Sequence, residues 1–324
     1  MIPSIGLLLA VAFGVGVVLL GSGFYLIAGR MLRPPFYTHT PQAANLPPIA
    51  QDSFVWQLFQ GHVTDPWTDC GLTYEEVSFP THNQATLRGW FVPATEVTTT
   101  ALVVVHGAWM DRRNFLNRLP MLHRAGYPVL LFDCREHGMS EGAGRGCSLG
   151  YREQQDVSAA VRYLKTQRGF ERVGVLGTSQ GAASAILAAA QDESIDAVIA
   201  ENAFARVRSR HVSPFGANGM PGWLSWLIAV AIEWRLGILK PIYPIDVVAQ
   251  IAPRPLFLIH GEADPLLSPD HSRQLYEKAS EPKALWIVPD AGHDGVSHHV
   301  PQEYERRVRA FLHDYLPTRI RASS

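Results

Sequence analysis

Three side chains in this 324-residue chain have the types and the order that nucleophilic catalysis requires. Ser179 lies in Gly177-Thr178-Ser179-Gln180-Gly181, between an apolar run at 173–176 and an alanine-rich helical stretch. A G-x-S-x-G pentapeptide between strand and helix forms a sharp turn that lifts the serine hydroxyl beyond the sheet. Glycines flank the serine because strand and helix crowd there. The turn also sets Ser179 at a helix N-terminus, where backbone N–H groups and the dipole favour developing negative charge. A serine hydroxyl is a weak nucleophile without a base. His293, in Pro289-Asp290-Ala291-Gly292-His293, follows the last apolar run and is the candidate base. Asp264, in His260-Gly261-Glu262-Ala263-Asp264, follows the run at 256–259 and is the candidate acid that orients the imidazole.

Other residues compete for these roles. Glu262 is nearer the strand end than Asp264, and Glu201 ends the preceding strand. Read blandly, Asp264 is a turn residue before Pro265 and His293 a surface-loop histidine. His298 and His299 follow closely, but no acidic cluster accompanies them, so no metal is expected. The developing oxyanion needs two donors. The N–H of Gln180 is one expectation. The N–H of Ala108, in His106-Gly107-Ala108-Trp109, is the other. Trp109 and His106 are pocket candidates, with His106 better suited to holding that loop than to acting as a base.

These residues need a scaffold that brings strand ends together. Eight candidate strands cover 76–79, 86–92, 101–106, 129–133, 173–176, 197–200, 256–259 and 284–288. The later ones are short apolar runs without alternation, as expected of strands covered on both faces. Helices are expected at 151–165, 180–190, 268–279 and 302–316. The alternation predicts a mainly parallel sheet with helices on both sides, and an antiparallel edge where the first two strands lack a helix between them. The interval 204–251 has no strand pattern and carries an apolar run at 220–232. That run is too short to span a bilayer. A cap over the site, a helix lying in a membrane interface and an inserted core helix all fit it.

Composition narrows the function classes. The net charge is −1, which gives no electrostatic case for nucleic acid. Hydrophobic residues are 47% and charged residues 18%, enough apolar material for a large core. Three scattered cysteines and no C-x-x-C pair exclude a disulfide scaffold or a cysteine zinc site. The glycine-rich stretch 142–147 ends in Cys147 where a dinucleotide loop needs glycine, and no phosphate-loop motif occurs. Arg206, Arg208 and Arg210 form a small basic patch, read as a solvated face or a contact for an anionic headgroup or substrate.

Charge is distributed unevenly. Residues 1–29 contain no Asp, Glu, Lys or Arg. As a helix, residues 5–28 span about 36 Å, more than the roughly 30 Å of a bilayer's hydrocarbon core. A single transmembrane helix is the expectation, with a cleaved signal peptide as the rival, because no basic n-region precedes the run. Arg30 and Arg33 follow it and place the remaining chain on the cytoplasmic side.

The set of His106-Gly107, the Ser179 elbow, Asp264 and His293 resembles the α/β-hydrolase superfamily over roughly residues 74–316. Asp133-Cys134-Arg135-Glu136-His137-Gly138-Met139-Ser140 is similar to that family's D-x-R-x-x-G-x-S segment, with Glu136 where glycine is common. Within the superfamily the chain resembles membrane-anchored hydrolases with a serine-aminopeptidase-like domain, and Glu201-Asn202-Ala203-Phe204 contributes to the likeness. The resemblance implies an α/β-hydrolase fold and an esterase, thioesterase or amidase without metal or organic cofactor. The expected organisation is an anchor at 1–30, a proline-rich connector at 31–73, with a short helix at 53–59, a catalytic domain at 74–317 with its insertion at 204–251, and a tail at 318–324. A lipid-like or acylated substrate is expected. The rivals are a catalytically silent binding protein of the same fold and a secreted hydrolase.

Overall fold

The computed structural model describes residues 21–23, 25–26, 65–207, 222–293 and 295–318. Eight strands form one sheet: β1 (Glu75–Pro80), β2 (Thr86–Val92), β3 (Thr100–Val105), β4 (Val129–Phe132), β5 (Arg172–Thr178), β6 (Ala197–Glu201), β7 (Leu256–Gly261) and β8 (Lys283–Val288). Their order is β1-β2-β4-β3-β5-β6-β7-β8. The pairs β1–β2 and β2–β4 are antiparallel and all others parallel. The α/β-hydrolase fold expected from the motifs is the fold observed, down to the antiparallel edge.

Among the described residues, the helices of six residues or more are α1 (Leu119–Arg124), α2 (Glu153–Thr166), α3 (Gln180–Gln191), α4 (Gly222–Arg235), α5 (Asp270–Lys278) and α6 (Pro301–Tyr315). Strand side chains alternate between faces, so β3 serves two cores at once. Val103 and Val105 pack with Val157, Val161 and Ile186 of α2 and α3. Leu102 and Val104 pack with Leu119 and Leu122 of α1 and Val308 and Leu312 of α6. This double burial explains why β3, β4, β5 and β7 show no polar alternation.

The structure extends two sequence-based expectations. Helix α1 is six residues long, too short to show a helical period, and it begins at a leucine followed by Pro120. Residues 66–73 were expected in the connector, yet Pro66–Cys70 is helical and Cys70, Leu72 and Tyr74 pack on the core. The rest of the connector, including the expected helix at 53–59, lies outside the described residues. So does most of the 5–28 run, of which 21–23 and 25–26 are helical. Among the described residues no helix is long and apolar enough to cross a membrane.

In the insertion, α4 lies over α3. Ala229 and Tyr243 pack with Ala183, Phe204, Val207 and Leu267. By Val248 and Ile251 the chain has rejoined the main core. Among the described residues of the insertion there is no strand. Arg206 pairs with Asp246 at 2.5 Å, while Arg208 and Arg210 lie outside the described residues.

Candidate active site

The parallel strands end on one edge of the sheet, and the loops leaving that edge carry Ser179, Asp264 and His293. Ser179 has φ 53° and ψ −117°, a strained conformation for a residue with a side chain. Crowding enforces it. A β-carbon on Gly177 would lie 2.3 Å from the Gly181 carbonyl oxygen, and one on Gly181 would lie 2.1 Å from that of Val105. The Ser179 N–H is tied to the Glu201 carbonyl at 2.8 Å, and its carbonyl accepts the Ala183 N–H at 3.1 Å. The turn is therefore held on both sides, with the hydroxyl left to face outward.

His293 lies between Ser179 and Asp264. Its Nδ1 is 2.6 Å from Asp264 Oδ2 and its Nε2 is 3.0 Å from Ser179 Oγ. A carboxylate only accepts, so Nδ1 carries the proton and Nε2 is left to accept the serine proton. The Asp264 side chain is fully buried and His293 is 9% exposed. Asp264 Oδ1 accepts the N–H groups of Leu266 and Leu267, both at 2.8 Å. Burial pushes the Asp264 carboxyl up. Hydrogen bonds from His260 and His293, the His293 charge and the Leu267 N–H outweigh it, and the group is held well below the usual carboxylate range.

The rival acids are placed elsewhere. Glu262 is exposed. Glu201 is fully buried, bonded to Arg118 Nη2 at 2.8 Å and to the Tyr304 hydroxyl. His298 bonds to Asn117 at 2.7 Å, and both His298 and His299 are exposed.

The loop after β3 runs beside the serine: a β-carbon on Gly107 would lie 3.5 Å from Ser179 Cβ. The end of β4 clamps this loop. His106 Nε2 accepts the Cys134 N–H at 2.9 Å and its Nδ1 donates to the Gly107 carbonyl at 2.7 Å. His137 Nε2 accepts the Trp109 N–H at 3.2 Å, and Asp133 Oδ1 accepts the Arg112 N–H at 2.8 Å. His106 is buried with both ring nitrogens engaged, so it holds the loop and does not line open space. Burial, with His137 adding to it, pushes the His106 imidazole down to about 3, which keeps it neutral. Trp109 is half-buried. Among the described residues the N–H groups of Ala108 and Gln180 have no hydrogen-bond acceptor. The buried Gln180 side chain is held by the Cys147 thiol.

Asn202 was not among the candidates. Its Nδ2 donates to the His293 carbonyl and its Oδ1 accepts the Gly261 N–H at 2.9 Å. One buried amide thus ties the histidine loop to the strand that delivers Asp264. Its φ of 48° is a left-handed conformation that asparagine tolerates. An Asn directly after a short apolar strand was the available signal.

Residues 102–308, more than half of the chain, match the model of the alpha/beta hydrolase family. The chain is 26% identical over 276 residues to the uncharacterized protein YfhR of Escherichia coli O157:H7, covering 82% of this chain and 88% of that one. It is 29% identical over 234 residues to the uncharacterized protein YqkD of Bacillus subtilis, covering 70% and 75%. Among solved structures it is similar to the esterase Pf2001 of Pyrococcus furiosus, with a TM-score of 0.63, 26% identity, and coverage of 78% of this chain and 94% of that one. Est1E of Butyrivibrio proteoclasticus, solved with ferulic acid, shares the fold at a TM-score of 0.60 and 18% identity over 74% of this chain and 98% of that one. The family match spans the elbow, the acid loop and the histidine loop that the fold has already gathered at one sheet edge, and the chain belongs to the α/β hydrolase family.

Proposed function

We propose that the chain is a serine hydrolase that cleaves an ester, thioester or amide through an acyl-enzyme. Family membership and the likeness to an esterase support hydrolysis. The observation that carries the finer reading is the row Asp264–His293–Ser179, at 2.6 and 3.0 Å, beside two unspent backbone N–H groups. His293 Nε2 takes the proton from Ser179 as Oγ attacks the carbonyl carbon. The negative oxygen is received by the N–H groups of Gln180 and Ala108. His293 then gives its proton to the leaving group, and water, activated by the same nitrogen, releases the acyl group from Ser179. Asp264 stays ionised throughout, because its hydrogen bonds hold the carboxyl low. No step calls for a metal or organic cofactor.

The substrate we propose is lipid-like or acylated. The support is the charge-free run at 5–28, read as a single membrane anchor with the catalytic domain on the cytoplasmic side, together with the apolar insertion. A fluorophosphonate probe tests the chemistry. It is expected to label the wild-type chain and not Ser179→Ala, with activity on a short ester falling by at least about 10³-fold. Absence of labelling, or full activity in Ser179→Ala, rejects the mechanism in favour of a silent binding protein.

A further inference from the structure

Helix α4 is apolar on two faces. Its inner face, Ile228, Ala231 and Ile232, packs with Leu149 and Tyr151. Its outer stripe is Trp223, Leu227, Val230 and Trp234, spaced four, three and four residues apart. In a helix bathed by water these positions would be polar. Here Trp223 and Trp234 are 64% and 63% exposed, and Leu239 just beyond the helix is 85% exposed. One exposed large apolar residue needs no explanation, but two exposed tryptophans on one stripe, with half-buried Leu227 and Val230 between them, mark a contact surface.

A second observation says what it contacts. Tyr25, near the end of the charge-free N-terminal run, packs edge-on against Trp234 with ring centroids 5.3 Å apart. The Arg235 guanidinium lies 4.5 Å over the Tyr25 ring. The next residue, Leu26, is 70% exposed. Tyrosine, tryptophan and arginine at the end of an apolar run are the side chains that settle at a membrane's headgroup level, rings in the boundary and cation toward water. The anchor's end is thus fastened to one end of the outer stripe.

We propose that the outer face of α4 docks on the lipid interface of the bilayer that residues 5–28 enter. The α4 stripe then lies along the membrane surface with Trp223 and Trp234 in the headgroup–acyl boundary. The inner face of α4 meanwhile stays over α3, the helix that begins at Ser179. The insertion is the face through which an acylated substrate in that leaflet meets the enzyme. This inference rests on the anchor reading, and the test separates the two.

The full chain is reconstituted in phosphatidylcholine vesicles whose acyl chains are brominated near the headgroup. Wild type is compared with Trp223→Phe/Trp234→Phe, which keeps the apolar face but removes the two reporters. Equal turnover of a short soluble ester shows that both chains are folded. The emission lost in the double variant is expected to be quenched twofold or more by bromine, as for rings in the boundary. Retention in the vesicles after an alkaline carbonate wash reads the anchor alone. Retention with no quenching of that emission overturns the docked face and leaves the anchor standing. Chain-to-chain cross-linking of Trp234→Cys, with that emission unquenched, assigns the face to a second copy and equally overturns it. Loss of the wild-type chain in the wash overturns both.

Discussion

The sheet edge around Ser179 and the insertion above it are built on opposite terms. At the sheet edge, polar groups are buried and spent on backbone: Asp264 on two N–H groups, Asn202 on Gly261 and His293, Asp133 on Arg112. The described part of the insertion packs against the domain through apolar clusters, with polar ties such as the Tyr243 hydroxyl to Glu233 at 2.6 Å. Fixed dipoles suit chemistry, where a 1 Å error is costly, and apolar contact suits recognition of greasy groups. On the proposed function, the contrast separates how the bond is broken from which molecule is brought to it.

The strongest way to break this contrast is to change the acid. Asp264→Asn keeps the shape but removes the charge and favours the wrong imidazole tautomer. The kcat on a short ester is expected to fall about 10⁴-fold with little change in KM. A loss below about tenfold would mean that Asp264 is a turn residue after all. Next in size is the buried pair beneath the serine. Arg118 and Glu201 are 2% and 0% exposed, so Arg118→Met strands a charge and is expected to cost about 3–5 kcal/mol in urea unfolding. The matching pair in the insertion, Arg206–Asp246, is 46% and 35% exposed. Arg206→Met is expected to cost at most about 1 kcal/mol. Equal costs would erase the distinction between the two regions.

Asn202 sharpens the comparison at the level of positioning. Asn202→Ala removes the tie between the histidine loop and β7, so His293 is held less well against Ser179. A fall of about 10²-fold in kcat is expected, with KM nearly constant. Fluorophosphonate labelling should slow in parallel. A KM effect without a kcat effect would instead place Asn202 in substrate binding.

What the sequence made legible follows the same division. The elbow left its mark because two glycines must flank a crowded serine, and Asp264 and His293 stand directly after apolar runs that end at one sheet edge. The strand expectations overlapped every observed strand: double burial forces apolar runs in β3 to β7, and the edge strand β1 shows alternation instead. The Glu201 carboxylate was ambiguous because its partners, Arg118 and Tyr304, are 83 and 103 residues away in the chain and only the fold pairs them. Asn202 acts through His293, 91 residues away, and was passed over for the same reason. Helix α4 was visible as an apolar run, but with both faces apolar its periodicity could not say which side meets the core.

Acid sensitivity is a graded effect, and it arises chiefly from two histidines kept neutral. Burial, with His137 adding to it, pushes His106 down to about 3. Burial, with His260 adding to it, pushes His271 down to about 4 where its Nδ1 accepts the Ala205 N–H. The ordinary value is 6.5 for each. Between those values the unfolded chain binds protons that the folded chain refuses, so stability falls as pH drops below about 6.5. Each histidine contributes a slope of up to about 1.4 kcal/mol per pH unit. Asp264 acts in the same direction but in a lower window: its carboxyl is lowered, so its contribution stands above the ordinary carboxylate range and is lost only at more acid pH. It leaves the slope between about pH 5 and 6.5 untouched. Asp156, which burial raises to about 6, opposes one histidine's slope below about pH 6. Urea midpoints measured from pH 7 to 5 should still fall in the wild type, because two histidines act against that one carboxyl. His106→Gln, though weaker at pH 7, should fall less steeply. A wild-type midpoint flat across that range would show that the clamp on the loop after β3 tolerates a charge, and that the sheet edge is less rigidly polar than its hydrogen bonds imply.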